Sequence, residues 1–144
     1  MKISYFTDYS LRVLLYLSTK NDQATIAEIA ESFKVSKNHL VKVVHNLSKL
    51  NLIETNKGKN GGIKLSRQAE KFRLGKLVEL LEPLSLVECF DKDTNLCPIV
   101  GVCELEKLLY RGRAAFLDQL NLATLGSLAE SKHQSEKKKR LGLT

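Results

Sequence analysis

A chain of 144 residues, 43% of them hydrophobic and 27% charged, has room for one compact domain with an appended element but not for two full domains. Its formal net charge of +7 makes a polyanion a natural partner, although the terminal run SKHQSEKKKR supplies several of those charges from what reads as a solvated end. No stretch reaches the roughly 20 apolar residues of a membrane span, and the N-terminal run, broken by Asp8 and Arg12, lacks a small-residue cleavage site, so a cytoplasmic protein is expected.

From Tyr5 to about Thr19 the residues Leu11, Leu14, Leu15 and Leu17 recur at helical spacing, widened by Tyr9 and Val13, which predicts a largely buried first helix. Thr25-Ile-Ala-Glu28 has the form of a capping box and opens a short helix to about Phe33. Lys34 and Val35 make a tight connection. Ser36 is then placed to cap a longer helix through about Leu50, with Leu40, Val43, Val44, Leu47 and Leu50 inward. Two helices joined so briefly form a helix-turn-helix. After Asn51 the period becomes extended: residues 52–55 and 62–65 flank a turn whose Asn60-Gly61 pair supplies positive φ angles, which predicts a β-hairpin. The expected fold is therefore mainly α, a winged helix-turn-helix over residues 1–82. A further helix spans about Leu74 to Leu81, and residues 83–103 form a loop holding the three cysteines. Leu105, Leu108, Leu109, Ala115, Phe116 and Leu120 mark a long amphipathic helix too far from a small core to be covered within one chain, which reads as a dimerisation helix. Thr124 caps a short helix from Leu125 to Glu130, closing a unit of residues 104–130, and residues 131–144 are expected to be a disordered basic tail.

In a helix-turn-helix the first residues of the second helix meet base edges, which makes Ser36, Lys37, Asn38, His39 and Lys42 the candidates. Asn38 can pair with adenine or hold a phosphate. Lys37 and Lys42 suit phosphate or guanine, and Ser36 can bond either while capping. His39 has the weakest case, since a lone histidine there is more often a surface group. In the wing, Lys57 and Lys59 suit phosphates, while the turn at Asn60 and Gly61 lets the backbone approach a minor groove. Two such heads on a dimer require a pseudo-palindromic DNA operator with half-sites about one or two helical turns apart. The histidines form no hydrolase or nucleophile pattern and no phosphate-cradling glycine loop occurs, which argues against an enzyme.

Cys89, Cys97 and Cys103 lie in one loop, with seven and five residues between successive members. An odd number of cysteines in a reducing compartment points to metal binding, redox sensing or buried packing. Zinc usually pairs its ligands at closer spacing, so the spacing mildly favours an iron–sulfur cluster, whose fourth iron would then need another donor. A thiol switch through disulfide or sulfenate and ordinary packing of free cysteines both stay open.

The segments Phe6-Thr-Asp-Tyr-Ser-Leu-Arg12, Ser36-Lys-Asn-His-Leu-Val-Lys42, Gly58-Lys-Asn-Gly-Gly-Ile63, Glu82-Pro-Leu-Ser-Leu-Val-Glu-Cys89 and Thr124-Leu125 resemble those of the winged-helix iron–sulfur regulators, most closely the NsrR-like branch beside the IscR-like one. The resemblance implies a homodimeric repressor with one [4Fe-4S] cluster per subunit, or [2Fe-2S] as its degradation product, bound by Cys89, Cys97 and Cys103. It implies Asp8 as a fourth ligand given across to the other subunit, Arg12 in support of the cluster, and nitric oxide as the signal. IscR-like control of cluster assembly is the alternative within the family. Two features depart from the family pattern. The gap between the first two cysteines is longer, and Lys57 stands where IscR-like wings carry arginine, which hydrates less strongly and suits a minor groove better.

Overall fold

The computed structural model describes residues 2–59 and 61–143. Helix α1 (Tyr5–Lys20) begins where Ser4 Oγ accepts from the Thr7 amide at 3.2 Å, and it ends at Asn21, whose left-handed φ of 55° asparagine tolerates. Val13, Leu14, Tyr16 and Leu17 are at most 1% exposed and face the core. Leu11 and Leu15, read from the sequence as inward, are only half-buried. Helix α2 (Ile26–Phe33) carries the expected capping box, with the Glu28 amide donating to Thr25 Oγ1 at 3.1 Å and the Thr25 amide to Glu28 Oε2 at 3.4 Å. Lys34, at φ 53°, turns the chain, and helix α3 (Lys37–Lys49) follows with Leu40, Val43, Val44 and Leu47 buried against α1 and α2. Ser36 holds the N-cap position but its hydroxyl makes no capping bond, contrary to expectation. The third helical residue is His39 rather than a glutamate, so no reciprocal bond fixes the serine rotamer.

Strands β1 (Ile53–Asn56) and β2 (Gly62–Leu65) pair antiparallel with Ile53 opposite Leu65 and Asn56 opposite Gly62. Alternation buries Ile53 and Ile63 while the cross-strand pair Glu54–Lys64, at 3.0 Å, faces outward. A positive φ of 111° falls on Gly58, and the Gly61 amide donates to Gly58 O at 2.9 Å to close the turn; Asn60, expected to share the turn geometry, lies outside the described residues. Ala24, in the α1–α2 link, adds a rung to the wing by exchanging hydrogen bonds of 2.9 and 2.8 Å with Ile63. The sequence carries no local sign of it.

Helix α4 (Leu74–Leu81) has no side-chain cap of its own. Its start is instead held by the turn after helix α5 (Glu104–Leu120): Asn121 Oδ1 accepts from the Lys76 amide at 3.0 Å, and Arg73 donates to Asn121 O at 2.7 Å. Thr124 caps helix α6 (Leu125–Ala129) through a box closed by Ser127. No residue of α5 is buried within the chain, and Leu105 and Leu108 are 62% and 55% exposed. Among the described residues no helix is long and apolar enough to cross a membrane.

The tail departs from the disorder expected of it. Residues Gln134–Arg140 form helix α7, Gly142 takes a φ of 70°, and the Gly142 and Leu143 amides donate back to Lys139 O and Lys138 O at 3.2 and 2.9 Å. That pattern closes a helix with a left-handed glycine and a following apolar residue. Leu141 enters the core and its carbonyl accepts from Ser32 Oγ of α2 at 2.9 Å. The run of charges hid two apolar anchors, since Leu143 also packs against the core. Replacing Leu141 with alanine is expected to cost about 1.5 kcal/mol, the value of burying one such side chain, read as a lower urea midpoint at constant slope. An unchanged midpoint would show the tail to be unanchored.

Candidate nucleic-acid interface and thiol loop

The exposed residues of α3 define one face. Lys37, Asn38, Val41, Lys42 and His45 are exposed, a spacing that returns to the same side of the helix with each turn, while Leu40, Val43, Val44 and Leu47 hold the opposite side in the core. Four of the five predicted base-reading residues, Ser36, Lys37, Asn38 and Lys42, are exposed, with no side-chain hydrogen-bond or ion-pair partner among the described residues. The fifth, His39, is exposed too but its ring stacks on Tyr9 of α1, centroids 6.2 Å apart. Val41 and His45 were absent from the sequence reading, although three and seven residues after Asn38 they were there to be found by helical spacing. In the wing, Lys57 and Lys59 are exposed and Gly61 is half-buried. Backbone closeness rather than side-chain chemistry is what the glycines contribute there.

At the start of α1, Arg12 donates to both oxygens of Asp8, at 3.0 and 2.7 Å, in a fork that suits a planar guanidinium. The Asp8 hydrogen bond, against the cost of desolvation, raises the Arg12 pKa above its ordinary value. The same guanidinium sits 5.8 Å from the ring centroids of both Tyr9 and Phe33. Asp8 and Arg12 line an apolar groove of about 360 Å³ with Leu11, Leu15, Phe116 and Leu120, and no cysteine lines it.

The cysteine loop leaves α4 through Glu82, whose Oε2 accepts from the Ser4 amide and hydroxyl at 3.0 and 2.7 Å. Burial alone would raise the Glu82 pKa, but hydrogen bonds from Thr7 and Ser4 bring it below the usual carboxylate range. The loop is next pinned by Phe90, stacked on Tyr110 of α5 at 3.9 Å with Arg113 over both rings at 5.0 and 5.1 Å. None of Phe90, Tyr110 and Arg113 stood out in the sequence, since their partnership spans two elements.

Cys89, Cys97 and Cys103 are half-buried and none is in a disulfide. Partial desolvation pushes the Cys89 thiol up, and Glu106, Cys97 and Cys103 add to the shift. A thiol held protonated is a poor nucleophile, whereas a metal ion supplies the positive charge that makes it a thiolate. Among the described residues no group of three or more His, Cys, Asp or Glu converges to hold a metal within one chain. The three thiols thus suit a thiolate-held cofactor in the kind of their donors, one short of the four an iron–sulfur cluster takes, and among the described residues Asp8 is not grouped with them.

Residues 3–131 match the Rrf2 family, described as iron-dependent transcriptional regulators. The chain is similar to the HTH-type transcriptional regulator NsrR of Shouchella clausii, 43% identical over 131 residues, 89% of this chain and 88% of that protein. Among solved structures, the oxidised form of Staphylococcus aureus CymR is 30% identical with a TM-score of 0.70, covering 91% of this chain and 98% of that one. IscR of T. potens is 20% identical with a TM-score of 0.70, over 92% and 90% of the two chains, a likeness of fold.

Proposed function

Because this chain belongs to the Rrf2 family and is a DNA-binding transcriptional regulator rather than an enzyme, we propose that it is a homodimeric repressor whose hold on a pseudo-palindromic operator depends on an iron–sulfur cluster and is released by nitric oxide. Cys89, Cys97 and Cys103 of one subunit and Asp8 of the partner subunit are the ligands in this reading, with Arg12 holding Asp8 in position. The observation that carries it is the set of three uncrosslinked, half-buried thiols on a loop tied to α1 at Glu82 and to α5 at Phe90. A [4Fe-4S] cluster held there would supply an iron open to small-molecule chemistry, with the Asp8 carboxylate a weaker donor to it than the thiolates.

The chain's own residues do the rest. The unburied apolar face of α5 supplies the dimer contact, and the loop and α1, joined across the two subunits, fix the spacing of the two α3 helices. Ser36, Lys37, Asn38 and Lys42 read or position the duplex, and Lys57, Lys59, Asn60 and Gly61 follow the adjacent groove. Losing that spacing returns the dimer to non-specific binding, a fall of about 4–10 kcal/mol. Anaerobic purification followed by visible absorbance, iron content and binding to duplexes selected by the protein, with and without nitric oxide, tests it. A metal-free protein with tight, unresponsive binding would overturn the reading.

A second reading keeps the DNA-binding fold and uses the cysteines as a thiol switch; the likeness to an oxidised CymR favours it. Asp8→Ala separates the two, because a thiol switch has no use for that carboxylate.

Val41 gives a further test. An apolar side chain on the exposed face of α3 suits a thymine methyl group. Val41→Ser is expected to weaken binding to a selected operator several-fold and to leave mixed-sequence binding unchanged. Equal loss on both duplexes would place Val41 outside base reading.

A further inference from the structure

Beside α3, the chain from Lys2 into the start of α1 presents aromatic and cationic groups at the surface. Tyr5 is 66% exposed, its ring 6.1 Å from that of Tyr9, and Lys2 Nζ sits 4.8 Å over the Tyr5 ring. Tyr5, Phe6 and Tyr9 of α1 face His39, Lys42 and Val43 of α3 across a groove of about 270 Å³. Its lining is mostly apolar with Lys42 as a cationic member, and Lys2 adds a second cation over the ring of Tyr5. The nearby carboxylates are already engaged, Asp8 by Arg12 and Glu82 by Ser4. His39 and Lys42 belong both to this groove and to the exposed side of α3, so the two surfaces are continuous.

We propose that Lys2, just before α1, and Tyr5, in its first turn, form a third DNA-contacting element, holding the sugar–phosphate backbone beside the major groove that α3 enters. The inference rests on α3 being the DNA-reading helix. A deoxyribose offers an apolar face and its phosphate a charge, which match the apolar lining and the two cations. Such a contact positions the protein without reading sequence. The Tyr9–His39 stack keeps the two helices at a fixed offset, so the backbone contact and the base contacts share one register.

The test uses the full chain and a mixed-sequence duplex, with affinity followed by fluorescence anisotropy over a series of KCl concentrations. Lys2→Gln is expected to reduce the slope of log affinity against log salt by about 0.9 per bound subunit, as Lys37→Gln also should, whereas Lys76→Gln on α4 should not. Tyr5→Ala is expected to weaken binding three- to tenfold at fixed salt, with Tyr5→Phe recovering part of the loss. Both residues are exposed, and circular dichroism confirms that the variants fold. If Lys37→Gln lowers the slope while Lys2→Gln and Tyr5→Ala leave binding unchanged, the α1 contact is wrong and α3 keeps its role. If none of them changes binding, the assignment of α3 fails and the inference with it. If Tyr5→Ala alters self-association without DNA and not DNA affinity, the groove takes a second copy of this chain and the proposal is overturned.

Discussion

Serine in place of Cys97 is expected to give a folded protein that neither retains iron nor binds its operator above the non-specific level. The substitution changes one atom in a half-buried side chain of an exposed loop, where the Cys97 amide is already satisfied by Asn95 Oδ1 at 2.9 Å. Folding should therefore be untouched, while a thiolate ligand is exchanged for a hydroxyl that binds iron poorly. Visible absorbance and iron analysis under anaerobic conditions read the first effect, and anisotropy with a selected operator reads the second as a loss of at least a hundredfold. Asp8→Ala completes the argument. It removes an i,i+4 ion pair whose partners are 38% and 40% exposed, and such pairs contribute only about 0.3–0.5 kcal/mol. A tenfold change in the response to nitric oxide corresponds to about 1.4 kcal/mol, too large to come from that lost pair. Full colour and normal regulation in the Cys97→Ser protein would end the case for a cluster held by these thiols.

The distribution of what was legible in the sequence follows the range of the interactions concerned. The capping box at Thr25, the N-cap at Thr124, the core face of α3 and the two strands rest on neighbours within one turn or one strand, so periodicity and caps announce them. The Ala24–Ile63 rung, the capping of α4 by Asn121 and the docking of Leu141 on α2 each join residues far apart in the chain, and no local pattern encodes them. The exposed face of α3 shows a different gap. Choosing polar residues near the helix start found Lys37, Asn38 and Lys42 but passed over Val41, whose exposure only the helical period reveals. For the thiol loop, residue type and crowding were visible while the Phe90–Tyr110–Arg113 clamp was not. That clamp ties the loop's path to α5.

The link between α5 and the DNA-binding head can be probed at one atom. Gly75 is buried in α4, and a Cβ there would stand 2.3 Å from Leu117 O and 2.6 Å from Asn121 Oδ1. The first of these is backbone within α5 and cannot rotate away, and the second is the oxygen that accepts from the start of α4. Helix propensity favours alanine over glycine by about 1 kcal/mol, but overpacking typically costs about 1–3 kcal/mol, or more where backbone must move, and losing the Asn121 cap adds about 1. Gly75→Ala is therefore expected to destabilise the protein by about 2 kcal/mol. Gly112 of α5 provides the opposite case, since a Cβ there would meet nothing within 4 Å in the chain. Gly112→Ala should accordingly be neutral or stabilising by up to about 1 kcal/mol through propensity alone. Urea unfolding of the two variants reads the difference in sign. Should Gly75→Ala prove as stable as Gly112→Ala, α4 and α5 are not in the close contact that the structure shows at Leu117 and Asn121.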